Sequence, residues 1–170
     1  LVGLLAFLPL KAVGSESEFD CGAIQCDHFE ADLRDQASLQ RGAKYYLAYC
    51  MGCHSLKYAR YERTANDLGI PLAVAEQYMI FDDTKIGDLM ENAMPTPLAK
   101  KWFGAPPPDL TLVARARAPE WVYTYLRNFY RDDSPARPWG VNNRVFPDVA
   151  MPHALADLQG LPECSPGPVQ

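Results

Sequence analysis

The sequence predicts a mainly α-helical fold with little or no sheet, and three observations support this prediction. Apolar residues recur at helical spacing in two segments, 38–50 and 119–130. No segment shows the alternation of apolar and polar residues that is typical of a half-buried strand. Proline and glycine are frequent in 95–108 and 132–153, which predicts long loops there. With 170 residues the chain is long enough to bury one core, so a single domain is expected.

The first part of the chain is expected to lie outside this domain. Residues 1–10 are uncharged and too few to span a bilayer as a helix, which needs about 20 residues. They match the apolar part of a secretory signal, and the small residues at 12–14 suit cleavage before Ser15. We therefore interpret 1–14 as the remnant of a signal peptide, with a short buried helix as the alternative. Residues 15–37 are polar and acidic, and we expect an irregular N-terminal arm.

A helix is predicted to begin after Ser38, because its hydroxyl is suited to capping the first turn. The apolar residues of this helix follow at spacings of four, three and four, namely Leu39, Ala43, Tyr46 and Cys50. Gly42 lies beside this apolar face, and a glycine within a helix usually has a packing reason. We therefore expect a second helix to approach closely at Gly42.

Shorter helices are predicted in the middle of the chain. Two of them, at 71–79 and 85–94, flank an acidic turn. The proline-rich segment 95–108 is expected to be extended or turning, because proline lacks an N–H and fixes its own φ angle. Residues 109–117 are expected to form one more short helix.

The clearest helical pattern starts at Pro119, a residue suited to the first turn of a helix. Its apolar face consists of Val122, Tyr125, Leu126, Phe129 and Tyr130. The aromatic side chains of this face are expected to fill the groove beside Gly42. Residues 132–153 are expected to form a long ordered loop.

The formal net charge of −5 bears on the class of partner. No basic stripe is present to neutralise phosphates, so nucleic acid is not expected as a partner. An acidic surface instead favours a basic protein partner.

Residues 49–55 read YCMGCHS and hold the densest group of cofactor-binding side chains. Cys50, Cys53 and His54 suit the covalent attachment of a haem, with the imidazole as proximal ligand of the iron. They also suit half of a zinc site that Cys21 and Cys26 would complete, although the spacing fits zinc ribbons only loosely. A thioredoxin-like redox pair needs a βαβ setting, which the sequence does not predict. Haem attachment is favoured because it needs only the contiguous run, a helix leading into it and export.

Two questions stay open on the residues alone. Cys21 and Cys26 are close enough for a local disulfide in an exported protein, which leaves Cys164 without an assignment. Met94 and Met151 are both candidates for the sixth iron ligand, since each stands between an alanine and a proline. The proline favours an extended backbone at the methionine, but spacing does not decide between the two.

Four blocks of sequence together resemble the cytochrome c1 family, the c-haem subunits of cytochrome bc1 complexes. They are YCMGCHSLKYARYERTANDLGIP, WFGAPPPDLTLVARAR, YTYLRNFYRDD and VFPDVAMPHALADLQG. The likeness extends in collinear order over about residues 28–160, and the bacterial branch is the most similar. It implies a cytochrome c-like haem domain at 38–160. It also implies a tail at 161–170 that leads to a C-terminal membrane anchor beyond this sequence.

The resemblance also implies a ligand set for one covalently bound haem c. Cys50 and Cys53 would carry the haem, and His54 and Met151 would bind its iron. Met94 would then be structural. The cysteine pair near the N-terminus is not part of the general family pattern.

Further residues around the haem follow from the same resemblance. Pro108 and Arg117 match positions that pack on the haem and bind a propionate, and an Arg fork suits a carboxylate. Arg115 is a weaker candidate for the propionate. Tyr46, one helical turn before the first motif cysteine, matches a tyrosine near the haem.

The implied function is one-electron transfer within a quinol:cytochrome c oxidoreductase, where the chain is not catalytic alone. It would accept an electron from the Rieske iron–sulfur protein and pass it to a cytochrome c. Its place would be beside cytochrome b on the periplasmic side of the bacterial inner membrane. The alternatives are a free-standing periplasmic cytochrome c carrier, a haem enzyme such as a peroxidase with an exchangeable sixth ligand, and a zinc-binding cysteine module.

Overall fold

The structure, a computed structural model, describes residues 20–163. The predicted signal remnant 1–14 and Cys164 lie outside the described residues. The described part is mainly helical, which confirms the predicted fold class. Its elements in chain order are α1 (Gln36–Tyr45), a π-helical turn (Tyr46–Cys50), β1 (Leu56–Arg60), α2 (Tyr61–Asp67), α3 (Leu72–Tyr78), β2 (Leu89–Met90), α4 (Thr96–Phe103), α5 (Val113–Ala116), α6 (Pro119–Arg127), β3 (Phe129–Arg131), β4 (Val141–Asn143) and α7 (Ala156–Gln159).

The four strands form two separate antiparallel pairs. β1 pairs with β2 through an irregular register, and β3 pairs with β4 in regular register, with Tyr130 opposite Asn142. The prediction of a helix at 85–94 is therefore wrong, since β2 lies there, and β4 interrupts the predicted loop at 132–153. β2 and β4 are stabilised by pairing with β1 and β3. Such pairing is not visible in the sequence pattern of the strand itself.

Two predictions about proline-rich and aromatic segments also need correction. Residues 95–108 were expected to lack a helix, but α4 begins at Thr96 with a proline in its first turn, where no N–H is needed. α6 begins at Pro119 as predicted, but it ends at Arg127 and leaves Phe129 in β3. The apolar spacing continues beyond the helix because both elements contribute to the same core.

The first helix begins earlier than predicted. Its N-cap is Asp35, whose Oδ1 accepts a hydrogen bond of 2.9 Å from the backbone N–H of Ser38. Ser38 is thus the third residue of the helix and not its cap. Asp and Ser are about equally good N-caps, so only the hydrogen bond distinguishes them.

This cap gives a simple pair of variants. We expect Asp35→Ala to lower the free energy of unfolding by about 1 kcal/mol, because one N–H of the first turn loses its acceptor. Ser38→Ala is expected to be near neutral, since alanine is the better helix former at an exposed position. Urea denaturation of the two variants checks this. A larger loss for Ser38→Ala would contradict the assigned cap.

The described residues bury two apolar clusters. The first lies under the motif and contains Met51, Tyr61, Ala65, Ala75, Met79 and Met90. The second contains Phe129, Val141 and Val149, with Tyr125, Met151 and Leu161 packed against it. The motif and Met151 therefore belong to different clusters.

The expected close approach at Gly42 is wrong. Apart from its own helix, a Cβ atom built on Gly42 would meet no atom within 4 Å, so no other helix among residues 20–163 packs closely there. The predicted apolar face of this helix is nevertheless the less exposed one, because Leu39, Ala43, Tyr46 and Cys50 are all half-buried.

The described part of the N-terminal arm has no helix or strand before Gln36, yet it is packed against α6. Cys21 and Cys26 form a disulfide with their Cα atoms 5.3 Å apart, as the sequence allowed. The Asp27 N–H donates to Thr124 Oγ1 at 2.8 Å, and Phe29 stacks on the Tyr123 ring. The arm therefore holds one face of α6.

The same disulfide loop also contacts the segment that follows β4. Gly22 has a φ of 71°, and a Cβ there would lie 3.0 Å from the Val145 carbonyl oxygen. A glycine is needed at this position for both reasons. The loop thus touches the chain six residues before Met151.

Removing the disulfide is expected to destabilise the chain. For this short loop, chain entropy predicts a loss of about 2 kcal/mol in the Cys21→Ser/Cys26→Ser double variant. Thermal unfolding with and without reductant measures it, because reductant should destabilise the native chain and leave the double variant unchanged. Equal stability of both proteins without reductant would contradict the expectation.

Within residues 20–163, no helix is long and apolar enough to cross a membrane.

Candidate cofactor site

The motif lies at a local change of helix winding. The Met51 N–H donates to the Tyr46 carbonyl five residues earlier at 2.9 Å, which is a π-helical bond. The N–H groups of Cys53 and His54 then both donate to the Cys50 carbonyl, at 3.0 and 2.8 Å. The two cysteines and the histidine are thus held on one tight turn. Such π-helical turns are frequent at functional sites.

The imidazole of His54 is buried, with 8% of its surface exposed. Its Nδ1 lies 2.7 Å from the Pro108 carbonyl oxygen. A carbonyl only accepts hydrogen bonds, so Nδ1 carries the proton and Nε2 of the neutral ring keeps its lone pair. This arrangement is typical of a metal-binding histidine, whose second nitrogen is fixed by a protein acceptor. Pro108 acts here through its backbone carbonyl.

The Pro108 carbonyl is itself held in place by the chain after the motif. The Leu110 N–H donates to the Ser55 carbonyl at 2.9 Å. The Asp109 carboxylate accepts from the backbone N–H groups of Lys57, at 2.7 Å, and Thr111, at 3.1 Å. Asp109 was not predicted as a site residue. Asp side chains in turns nevertheless often accept a hydrogen bond from the backbone N–H two residues later.

Tyr46 links the helix to the far end of the motif. Its hydroxyl donates to the His54 carbonyl at 2.5 Å. Burial, and to a lesser degree the nearby Cys50, raises the pKa of Tyr46, so the phenol stays a hydrogen-bond donor. Tyr46 thus contacts the motif through the backbone of its histidine, and a place beside a haem stays a prediction.

The thiols of Cys50 and Cys53 are half-buried and not joined to each other. Burial, and then the adjacent Cys53, raises the pKa of the Cys50 thiol. Thiol–disulfide catalysis favours a lowered thiol pKa. The disulfide removes Cys21 and Cys26 from any zinc site. Among the described residues, no group of three or more Cys, His, Asp or Glu is placed to hold a metal ion.

The helices around the motif leave apolar surface that a haem could cover. Neither α1 nor the π-helical turn fully buries any side chain, and in α6 only Thr124 is fully buried. A helix with one apolar face normally buries that face against a partner. Apolar side chains of both helices remain half-exposed here, so apolar surface is left for a large flat group to cover. With two unpaired thiols and an imidazole lone pair beside them, the residues present fit a haem.

The two candidate methionines have different surroundings. Met151 is half-buried in the second cluster, where its Sδ lies 3.4 Å from the Tyr125 hydroxyl. Burial raises the pKa of Tyr125 to about 12. Met94 lines a cavity of about 250 Å³ beside Cys53. The structure therefore gathers Tyr46, Pro108 and the motif at one place, and Met151 at the second cluster.

The two arginines proposed for a propionate lie next to the start of α6, and both are exposed. The Arg117 guanidinium stacks over the Trp121 ring at 5.1 Å. A stacked guanidinium presents its in-plane N–H donors outward, which suits a carboxylate. No comparable contact orients Arg115. Sequence analysis did not single out Trp121.

Two buried asparagines shape the loop that leads to Met151. The Asn143 side-chain amide donates to the Tyr125 carbonyl at 2.8 Å, and its Oδ1 accepts from the N–H groups of Val145 and Phe146. The Asn142 Oδ1 accepts from the Asp148 N–H at 2.9 Å. These side chains replace the backbone partners that a loop lacks. Neither residue was predicted to be important. The two adjacent asparagines shortly before the sequence FPD are the feature that could have indicated a turn held by side chains.

Charged groups reinforce the same loop. The Asp132 carboxylate accepts from Arg137 Nε at 3.1 Å and from the Asn142 amide at 3.0 Å. Arg137 also contacts the Asp148 carboxylate. Hydrogen bonds and the Arg137 charge hold the pKa of Asp132 below its usual range, against some burial. The chain from β4 to Met151 is thus fixed by polar contacts at several points.

Comparisons with known proteins show which proteins this chain is similar to. The profile of the Cytochrome C1 family matches residues 28–160. A protein named cytochrome c1 from Allochromatium vinosum is 60% identical over 140 residues, covering 81% of this chain and 57% of the relative. A protein named ammonia monooxygenase gamma subunit from Nitrosomonas europaea is 44% identical over 166 residues, covering 96% of this chain and 68% of the relative. A cytochrome c1 from Rhodospirillum rubrum is 31% identical over 130 residues, covering 65% of this chain and 47% of the relative. The chain thus spans about half to two thirds of the length of these relatives.

Proposed function

The chain belongs to the cytochrome c1 family, and we propose that it is the haem-carrying electron-transfer subunit of a cytochrome bc1 complex. Family membership implies a haem c. The observation that carries the proposal is the buried His54 imidazole. Its Nδ1–H donates a hydrogen bond to the Pro108 carbonyl, which leaves the lone pair of Nε2 available to bind iron. This imidazole follows directly on two unpaired thiols in one tight turn.

The proposed attachment uses Cys50 and Cys53, each through its sulfur. When bound, the haem supplies a one-electron Fe(III)/Fe(II) couple. The histidine that would hold the haem iron is itself fixed by two contacts with the rest of the chain. The Pro108 carbonyl fixes the ring plane of His54, and the Tyr46 hydroxyl holds the His54 carbonyl at the base of the same turn.

Met151 is the proposed sixth ligand, in line with the resemblance described above. Support comes from the fixed loop that carries it and from the thioether, which lies at the side of α6 that holds Trp121 and Tyr125. Arg117 is proposed to bind a haem propionate, because its stacked guanidinium retains in-plane donors. Met94 stays the competing ligand, since it lies beside Cys53.

The partners and location belong to the same proposal. We propose a Rieske iron–sulfur protein as electron donor, a cytochrome c as acceptor and cytochrome b as neighbour in the complex. The proposed location is the periplasmic side of the bacterial inner membrane, reached through an N-terminal signal and held by a C-terminal anchor.

The test is to export the chain in cells that attach c-type haem and to compare two double variants. We expect the native chain and Cys21→Ser/Cys26→Ser to retain haem in a denaturing gel, and Cys50→Ser/Cys53→Ser to lose it. A redox titration of the native holoprotein should follow a one-electron curve, and carbon monoxide should not bind the reduced form. Rapid binding of carbon monoxide would contradict the electron-transfer role and favour a haem enzyme. A colourless native chain would contradict the cofactor itself.

A further inference from the structure

The phenol of Tyr125 contacts the thioether of Met151. The Tyr125 Oη is 3.4 Å from the Met151 Sδ, within hydrogen-bond distance for sulfur, and it is the donor because a thioether only accepts. Tyr125 belongs to α6 and Met151 to the loop after β4, so this bond joins two elements that are 26 residues apart in the chain.

The Tyr125 ring has little freedom to leave this position. The Trp121 ring stacks on it with centroids 5.0 Å apart and planes 8° from parallel, and Phe129 meets it edge-on at 5.3 Å. The Tyr125 backbone carbonyl is held by the Asn143 amide at 2.8 Å. The hydroxyl is therefore presented to the sulfur by a rigid aromatic group.

A thioether sulfur has two lone pairs, so it can accept a hydrogen bond and still bind a metal ion. A donated hydrogen bond draws electron density from the sulfur and makes it a weaker donor to iron. Because Fe(III) needs this donation more than Fe(II), the bond favours the reduced state and raises the reduction potential.

We propose that Tyr125 is a positioning residue that orients the Met151 sulfur by this hydrogen bond and raises the reduction potential of the haem. The inference rests on the proposed function, since it requires Met151 to be the iron ligand. Beyond the proposed function, the inference gives a role to α6, whose Tyr125 hydroxyl donates a hydrogen bond to the proposed ligand in addition to packing near it.

Tyr125→Phe in the haem-loaded chain tests the inference, because it removes one oxygen and keeps the stacked ring. A lost hydrogen bond of this kind should shift the equilibrium with a reference redox couple roughly two- to fivefold toward the oxidised form. For one electron this is a fall in potential of about 20–40 mV. The absorption band of the Fe(III)–sulfur bond should shift in the same variant.

The matched control is Tyr123→Phe. Tyr123 lies on the same helix, and its ring stacks on Phe29 at 4.9 Å, away from the methionine. We expect this variant to keep the native potential and band. Equal potentials for the two Phe variants and the native protein would overturn the inference.

Met151→Ala separates this failure from that of the proposed ligand. If Met151→Ala removes the low-spin spectrum and Tyr125→Phe changes nothing, the part assigned to Tyr125 is wrong and the ligand stands. If Met151→Ala leaves the spectrum intact, Met151 is not the ligand and the inference about Tyr125 falls with it.

Discussion

Met151→Ala is expected to abolish the low-spin spectrum of the haem-loaded chain, because alanine cannot replace the thioether that is proposed as the sixth ligand of the iron. Loss of a Met ligand also lowers the reduction potential. We expect the equilibrium for accepting an electron to fall roughly hundredfold, which is about 120 mV for a one-electron couple. Visible spectra of the oxidised and reduced protein, followed by a redox titration, measure both effects. Carbon monoxide should bind the reduced variant and not the native protein.

Met94→Ala is the matched control for this change. Met94 stands in the same Ala-Met-Pro setting and lines the cavity beside Cys53. We expect its spectrum and potential to be those of the native protein. A spectrum that Met94→Ala disturbs and Met151→Ala leaves intact would reverse the ligand assignment. That result would also favour the alternative of a free-standing cytochrome c carrier.

Asn143→Ala is expected to have the second largest effect, and it acts on stability. Asn143 is 1% exposed, and its side chain makes three hydrogen bonds to the backbone. Alanine would leave the Tyr125 carbonyl and the Val145 N–H without these partners, with a loss of about 3 kcal/mol. For a chain of this size that lowers the midpoint of thermal unfolding by roughly 6–12 °C.

Asn66→Ala provides the comparison, because Asn66 is exposed on α2. A surface substitution of this kind is expected to change stability by less than about 0.5 kcal/mol. Calorimetry of the two variants checks the difference. Equal midpoints would mean that the buried amide does not hold the loop before Met151.

The sequence predicts well those features that depend on neighbouring residues. The helical class, the start of α6 at Pro119 and the half-buried face of α1 all follow from local spacing. The disulfide between Cys21 and Cys26 was allowed by their proximity in the chain but was not decided by it. In each case the determining interaction lies within one or two helical turns, or across one short loop.

Features that depend on distant partners were not predicted. β2 gains its structure from β1, and β4 from β3, so neither pattern is visible in its own residues. Asp109 and Asn143 act on backbone groups that only the fold brings near them. The expected groove at Gly42 failed for a related reason, since helical spacing indicates a face but not what covers it.

The proposed function requires two different chemical fates for the four cysteines that the structure describes. Four cysteines allow about six different single disulfides, and every one of them except Cys21–Cys26 would block the proposed attachment of the haem. The short separation of Cys21 and Cys26 favours their closure, because a small loop loses little chain entropy. Burial raises the pKa of the Cys50 thiol, which lowers its fraction of reactive thiolate in the folded chain. The fold thus joins one pair of cysteines to each other and leaves the other pair free for the proposed attachment of a haem.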